Sequence, residues 1–412
     1  MTISSTDSPA VATPILDSGM RPKRAKRKRL GNTLLGFASG LLFATVLIWT
    51  DNSARDAKNP AAGFSLFFFF LAIILSVAVH EGGHLLAGWS VGFRFSFISV
   101  GPLSLKLEYG RLKLHLRRGM PAAGYAGMHV NRVSRLRLRL LVFTVAGPLA
   151  NLLSVALTII FLDYIFPTNA SGWLYLPAHL FLQISLILGL VNLVPFRLGM
   201  LFNDGSRIAM LLWSRTRSRR WMCITAVGNQ SQQGVRPRHW RSTWVRGTSS
   251  LHDGSVDDFA GNWISYVRAN DRKDAPLAAS HLEKCLELMN QVGLPTQDLV
   301  ALEAAVFLAW FRNDPMTAQK WAAQVKKLTT IPQLLRIRAE VALPCARMEY
   351  DQALTAWQRG LAFIEAMPVS AAQKQLKNGW QEWQGEILER QLKLTAIVPD
   401  QNSLIQTGSA LA

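Results

Sequence analysis

His80 and His84 stand four residues apart around Glu81, in the stretch His80-Glu81-Gly82-Gly83-His84. On a helix this spacing brings both imidazoles to one face, with the carboxylate beside them. Two neutral imidazoles can hold Zn²⁺, and Glu81 can take a proton from a water that the ion activates. The stretch lies inside a continuous apolar run, Phe64 to Val91, long enough to cross a membrane. Ionisable groups at that depth are costly, so their location points to function rather than accident. A zinc hydrolase of this kind also needs a third protein ligand and an open fourth position.

The elements that must position these groups are membrane spans. Hydropathy marks four: Leu30–Thr50, Phe64–Val91, Leu140–Phe166 and Leu174–Phe196. Seven basic residues between Arg21 and Arg29 precede the first, which reads as an uncleaved anchor rather than a signal peptide. The loop from Gly92 to Arg139 carries ten Lys/Arg against the single acid Glu108, and Arg207, Arg215, Arg217, Arg219 and Arg220 follow the fourth span. All basic segments fall on one side, which the positive-inside rule makes cytoplasmic. The chain therefore reads as an integral protein of a bacterial cytoplasmic membrane, with its N-terminus and its C-terminal half in the cytoplasm. The net charge of +19 is accounted for by this topology and by contact with the lipid bilayer. With no nucleic-acid-binding motif beside it, the charge does not point to nucleic acid. Cys223, Cys285 and Cys345 fit neither a disulfide framework nor a zinc knuckle, and read as reduced cytosolic thiols.

Helical rise places His80 about 24 Å along the second span, towards its cytoplasmic end. A third ligand must come from similar depth. Asp204, in Phe202-Asn203-Asp204-Gly205, follows the fourth span on that face, whereas Asp163 ends the third span on the opposite one. Asp204 has a second reading, as the cap of a short helix beginning at Gly205. Further motifs are Ala146-Gly147-Pro148-Leu149-Ala150-Asn151 inside the third span, where Gly and Pro loosen the backbone, Asn192-Leu193-Val194-Pro195-Phe196 at the end of the fourth, and Ala122-Ala123-Gly124-Tyr125-Ala126-Gly127 between the second and third. Together they resemble the site-2 protease family of intramembrane zinc metalloproteases, over roughly Phe64 to Met210. The chain departs from the family pattern in having no Pro just before Asp-Gly and Ala122-Ala123 where many members have a Gly pair. The resemblance implies that His80, His84 and Asp204 ligate one zinc ion. It implies that Glu81 activates the water and that Asn151 assists substrate or oxyanion placement. Asn151 can equally serve as a hydrogen-bonding residue between helix backbones.

Between the second and third spans, Leu103–Tyr109 and Arg111–Leu116 alternate apolar and polar residues around Gly110, the signature of a β-hairpin. It reads either as an amphipathic ribbon resting on the membrane or as an open strand edge that captures an extended peptide. His179 reads as a packing residue, His115 and His129 as loop residues, and Met120, Met128 and Met200 as membrane-facing packing.

From Asp257 onwards the pattern is soluble and helical. Segments beginning at Ala279, Ala318 and Ala353 look alike and are spaced by 39 and 35 residues, with partner helices over Asp298–Arg312 and Gln333–Met348. This resembles a degenerate tetratricopeptide array, a surface for a cytosolic protein partner. A generic helical bundle is the other reading, and Pro344 interrupts one helix.

The fold class expected is mainly α: a polytopic membrane core of about four spans, a cytoplasmic β-hairpin insertion and a C-terminal helical repeat-like domain. The layout is a disordered basic tail (1–29), an anchor span and loop (30–63), the metalloprotease core (64–210), a juxtamembrane basic linker touching anionic lipid (211–256), the helical domain (257–395) and a flexible tail (396–412). The function expected is hydrolysis of peptide bonds in or near transmembrane segments of a partner protein. The alternative is an inactive membrane-anchored helical adaptor that binds cytosolic partners.

Overall fold

The computed structural model describes residues 14–22, 64–108, 111–116, 124–165, 174–198, 201–291 and 294–397. The expected first span, Leu30–Thr50, lies outside them, as do Gly110, Met120, Ala122, Ala123, Met200 and the last residues of the tail. The chain divides into two units, one made of residues 25–232 and 241–261, the other of residues 1–24, 233–240 and 262–412.

Among the described residues of the first unit, three helices are long and apolar enough to cross a membrane: α2 (Ser65–Ser90), α3 (Leu136–Ile165) and α4 (Tyr175–Leu193). Their outer faces leave Phe67, Phe70, Leu75, Leu153, Leu157, Ile160 and Leu190 exposed, an apolar surface of the kind a lipid-facing helix presents. Their inner faces meet through small residues, which let backbones approach closely where no hydrophobic drive exists between lipid and helix. A Cβ added at Gly83 would stand 2.6 Å from the Ala146 carbonyl. Ser185 donates to Ser76 at 2.9 Å between α4 and α2, and Phe69, Ala72, Leu176 and Leu180 fill the space above.

The expected hairpin is present, as β2 (Leu103–Glu108) and β3 (Arg111–Leu116), paired from Leu103↔Leu116 to Glu108↔Arg111. It is half of a larger element. β1 (Phe93–Val100) and β4 (Gly124–Val130) complete a four-stranded antiparallel sheet in the order β3-β2-β1-β4. His115 and His129 accordingly sit on strands, not in loops. Met128 packs against Gly88, in the cluster of Phe93, Val130, Leu136, Leu140 and Leu211, instead of facing lipid.

α3 begins four residues before the hydropathic span, with two arginines in its first turn. Arg137 donates to the carbonyls of Leu211 (2.6 Å) and Leu212 (3.0 Å), and Arg139 donates to that of Val91 (2.8 Å). These carbonyls end α5 (Asp204–Trp213) and α2, where helices leave acceptors without intrahelical donors.

The stretch 211–256, read from sequence as a linker, is largely helical. α6 (Arg215–Gln232) packs on α7 (Ser242–Thr248). Its periodicity is faint because a charge faces inward. Arg220 is fully buried, its guanidinium on Asp253 (3.0 Å), Ser255 and the Leu251 carbonyl. Arg207 pairs with Asp257 at 2.5 Å.

The second unit is helical. After α8 (Val256–Asp271), whose last turns belong to it, come α9 (Ala275–Leu288), α10 (Leu294–Phe311), α11 (Pro315–Ala323), α12 (Gln333–Ala346), α13 (Tyr350–Glu365) and α14 (Ala371–Ile397). α10 is buried continuously from Val300 to Trp310, which makes it the axis of the core. Pro344 lies in the last turns of α12 without breaking it. Trp357 and Trp380 each donate an indole N–H to the other's carbonyl, at 2.7 and 2.9 Å, and so lock α13 to α14. Cys223, Cys285 and Cys345 are buried thiols. The tail, featureless in composition, contributes a four-residue helix, α1 (Ile15–Ser18), whose Leu16 is buried.

Candidate metal centre

α2 carries His80, Glu81 and His84 on its inner side, and all three are buried. Gly83 keeps that side slim enough for α3 to close against it, since a Cβ there would meet Ala146 and Ala150. The Asp204 carboxylate arrives from the start of α5. His80 Nε2 lies 2.9 Å and His84 Nε2 3.5 Å from Asp204 Oδ2, and the three candidate ligand atoms all fall within 4.8 Å of one another. A tetrahedral ion with ligand bonds of about 2.0–2.2 Å sets its donors roughly 3.3 Å apart. The two separations from Asp204, 2.9 and 3.5 Å, lie on either side of that spacing. Asp163, exposed at the far end of α3, takes no part.

Asp204 owes its position to its neighbour. Asn203, not Asp204, caps α5: its side-chain oxygen accepts from the Ser206 amide at 3.0 Å and from the Phe196 amide at 3.1 Å. Its amide nitrogen donates to the Val194 carbonyl at 2.7 Å. The cap sets Asp204 at the first helical position, and a small ribbon, β5 (Arg197–Leu198) with β6 (Leu201–Phe202), returns the chain to bring it there.

Both imidazoles are oriented from behind. His84 Nδ1 lies 2.7 Å from the Phe143 carbonyl, which can only accept, so the proton is on Nδ1 and the Nε2 lone pair faces the cluster. Phe143 lies one residue before Thr144, the carbonyl that Pro148 leaves without its helical donor. Asn151 is fully buried, with its side-chain nitrogen 3.3 Å from His80 Nδ1 and its side-chain oxygen without a hydrogen-bond partner. Exchanging the two ends of that amide, which occupy nearly the same volume, sets the orphaned oxygen on His80 Nδ1–H and frees Nε2 for a metal. The donor set and its supporting acceptors therefore fit a zinc ion.

Two glycines shape the space around these groups. A Cβ added at Gly147 would come within 2.3 Å of His84 Nε2 and 2.9 Å of His80 Nε2. One at Gly124 would come within 2.4 Å of a Glu81 carboxylate oxygen. Glu81 stands outside the three-ligand group and accepts from the Ala126 amide of β4, an edge strand. His179 stacks near Tyr175, with ring centres 4.3 Å apart, on α4 and away from the cluster.

Sequence reasoning missed Asn203, Phe143, Gly124 and the part Gly147 plays. An Asn immediately before a helix start is an N-cap signal, so Asn203 was within reach. A backbone carbonyl such as that of Phe143 has no sequence signature. Comparison with protein-family models, curated proteins and solved structures gave no match to this chain.

Proposed function

We propose that the chain is an intramembrane zinc endopeptidase, similar to site-2 proteases, that hydrolyses peptide bonds in or near transmembrane segments of partner proteins. The observation that carries this reading is the meeting of the buried His80 and the half-buried Asp204, 124 residues apart, with His84 in one cluster beside Glu81. A cluster of this kind on an apolar helix is costly to build and has no packing benefit to offset it.

His80 and His84 would hold zinc through Nε2 and Asp204 through its carboxylate. When bound, zinc polarises a peptide carbonyl and acidifies a water. The remaining work belongs to the chain. The Phe143 carbonyl and Asn151 keep both rings turned towards the centre. Glu81 accepts the water proton and passes it to the leaving amine. The free edge of β4, reaching Glu81 through Ala126, offers main-chain partners to an unwound substrate strand. The exposed leucines of β2 and β3 (Leu103, Leu107, Leu112, Leu114 and Leu116) suit an interfacial ribbon. The basic loops support a cytoplasmic setting for this end of the helices.

Metal analysis of the purified full-length chain tests the reading. Wild type is expected to hold about one zinc per chain, lost in His80→Ala. Glu81→Gln is expected to keep the zinc, capture membrane proteins that the wild type cleaves, and leave them uncut. Undiminished cleavage by Glu81→Gln removes Glu81 as the base. A wild-type chain that binds no zinc leaves a membrane-anchored helical adaptor in place of the enzyme.

A further inference from the structure

Residues 14–22 are held by side chains that lie 267 to 305 residues further along the chain. The Glu283 carboxylate accepts the amide protons of Ile15 and of Leu16 (2.9 Å), and so caps a four-residue helix that has no side-chain cap of its own. Leu16 is 1% exposed, and the Trp321 indole donates to its carbonyl at 2.9 Å. Asp17 pairs with Arg312. Gly19 adopts φ +63°, and a Cβ there would stand 3.0 Å from Lys320 Cδ, so the position suits glycine twice over. The Gln324 amide donates to the Gly19 carbonyl at 2.6 Å and accepts from the Arg21 amide at 2.9 Å, the two-bond pattern of a neighbouring strand. The Arg21 guanidinium meets the buried Asp298 carboxylate at 2.7 Å, and Asn290 donates to the Pro22 carbonyl.

This is how a module reads a short peptide. Main-chain groups are taken by fixed side-chain partners, one apolar residue is sunk as an anchor, and charges are matched at either end. The neighbours of the anchor remain accessible: Ile15 and Ser18 are only half-buried, and Met20 is 67% exposed. A segment retained for core packing would join mainly by apolar area.

We propose that the helical unit is a peptide-recognition module whose groove, lined by Glu283, Asp298, Arg312, Trp321 and Gln324, reads a turn of the form Leu-Asp-x-Gly-x-Arg. Residues 14–22 are its intramolecular ligand. A partner protein displaces them with a segment of the same chemistry: an apolar residue followed by an acid, then glycine two places on and arginine two beyond. Tethering makes the resident segment a competitor at high effective concentration, so the groove opens only to a partner that is abundant or binds more tightly.

The test uses the full-length chain in detergent and a fluorescent peptide of residues 11–24, followed by anisotropy. Leu16→Asp in the chain should eject the resident segment and tighten peptide binding about 10- to 100-fold over wild type. Adding Gln324→Ala or Asp298→Ala to that chain should abolish the gain. Arg21→Asp, which also weakens the resident segment without touching the groove, should tighten binding in the same direction. Three results overturn the proposal. One is no peptide binding by Leu16→Asp and Arg21→Asp chains that keep wild-type helicity and melting. Another is loss of the helical unit's cooperative melting in both, which would make the segment a piece of the fold. The last is wild-type binding as tight as that of Leu16→Asp.

Discussion

Gly147→Ala separates metal binding from helix stability more cleanly than any ligand substitution. Gly147 lies mid-helix in α3, where alanine is favoured over glycine by about 1 kcal/mol from propensity alone. Its added methyl, however, would stand 2.3 Å from His84 Nε2, 2.5 Å from His84 Cε1 and 2.9 Å from His80 Nε2. Carbon contacts settle at about 3.5–4.0 Å, so one or both rings must retreat by roughly 1 Å. Metal bonds tolerate about 0.2 Å. The rings can yield because the clash involves side-chain ends, but His84 then loses its bond to the Phe143 carbonyl. We expect zinc affinity to fall at least about 100-fold, or about 2.7 kcal/mol, while metal-free stability changes by no more than about 1–2 kcal/mol in either direction. Chelator competition on the purified chain measures the first quantity and detergent-phase thermal unfolding the second. Unchanged zinc affinity in a well-folded Gly147→Ala chain would refute the placement of the ion against this face of α3.

Asn151→Ala should weaken zinc binding about 10- to 100-fold without removing a ligand, the usual cost of losing a group that orients an imidazole. Chelator competition reads it out, and an unchanged constant would return Asn151 to substrate or oxyanion contact alone. The Asp253 carboxyl is held at about 2: burial would raise it, but bonds from Arg220 and Ser255 outweigh burial. A depressed folded value means that the stability it contributes is present above its unfolded value near 4 and is lost as pH falls from about 4 towards 2. Melting curves over that window should show the decline in wild type and a shallower one in Asp253→Ala. The variant should also be less stable at neutral pH, because Arg220 is left buried and unpaired.

The helix bearing His80, Glu81 and His84 was readable because its signal is local: fixed spacing within a long apolar run. The β2–β3 hairpin was readable for the same reason, since strict alternation around Gly110 specifies both register and partner. β1 alternates too, in Phe93-Arg94-Phe95-Ser96-Phe97, but it begins just past the end of α2 and was passed over beside the stronger helical signal. Asp204 could be anticipated from topology because acids at the right depth are scarce. That it is freed for the site by a capping Asn203 depends on a three-dimensional choice between adjacent residues. The helix α6 was hidden because its inward Arg220 breaks the apolar stripe, and its partner Asp253 lies 33 residues on. For α1 there was nothing local to read: four residues make no helix on their own, and each of its partners sits in the far half of the chain.

The two arginines that open α3 bear on how the candidate metal centre would respond to chelation. Arg139 holds the end of the helix that carries both histidines, and Arg137 holds the end of the helix that carries Asp204. Both helices that carry candidate ligands are thereby tied by hydrogen bonds to one turn of a third, so the packing of the fold would set the separation of the ligands. Stripping of zinc should then be reversible on the time scale of diffusion, with no refolding phase on its return. A zinc ion held there would leave and return without any rearrangement of the helices that carry its ligands.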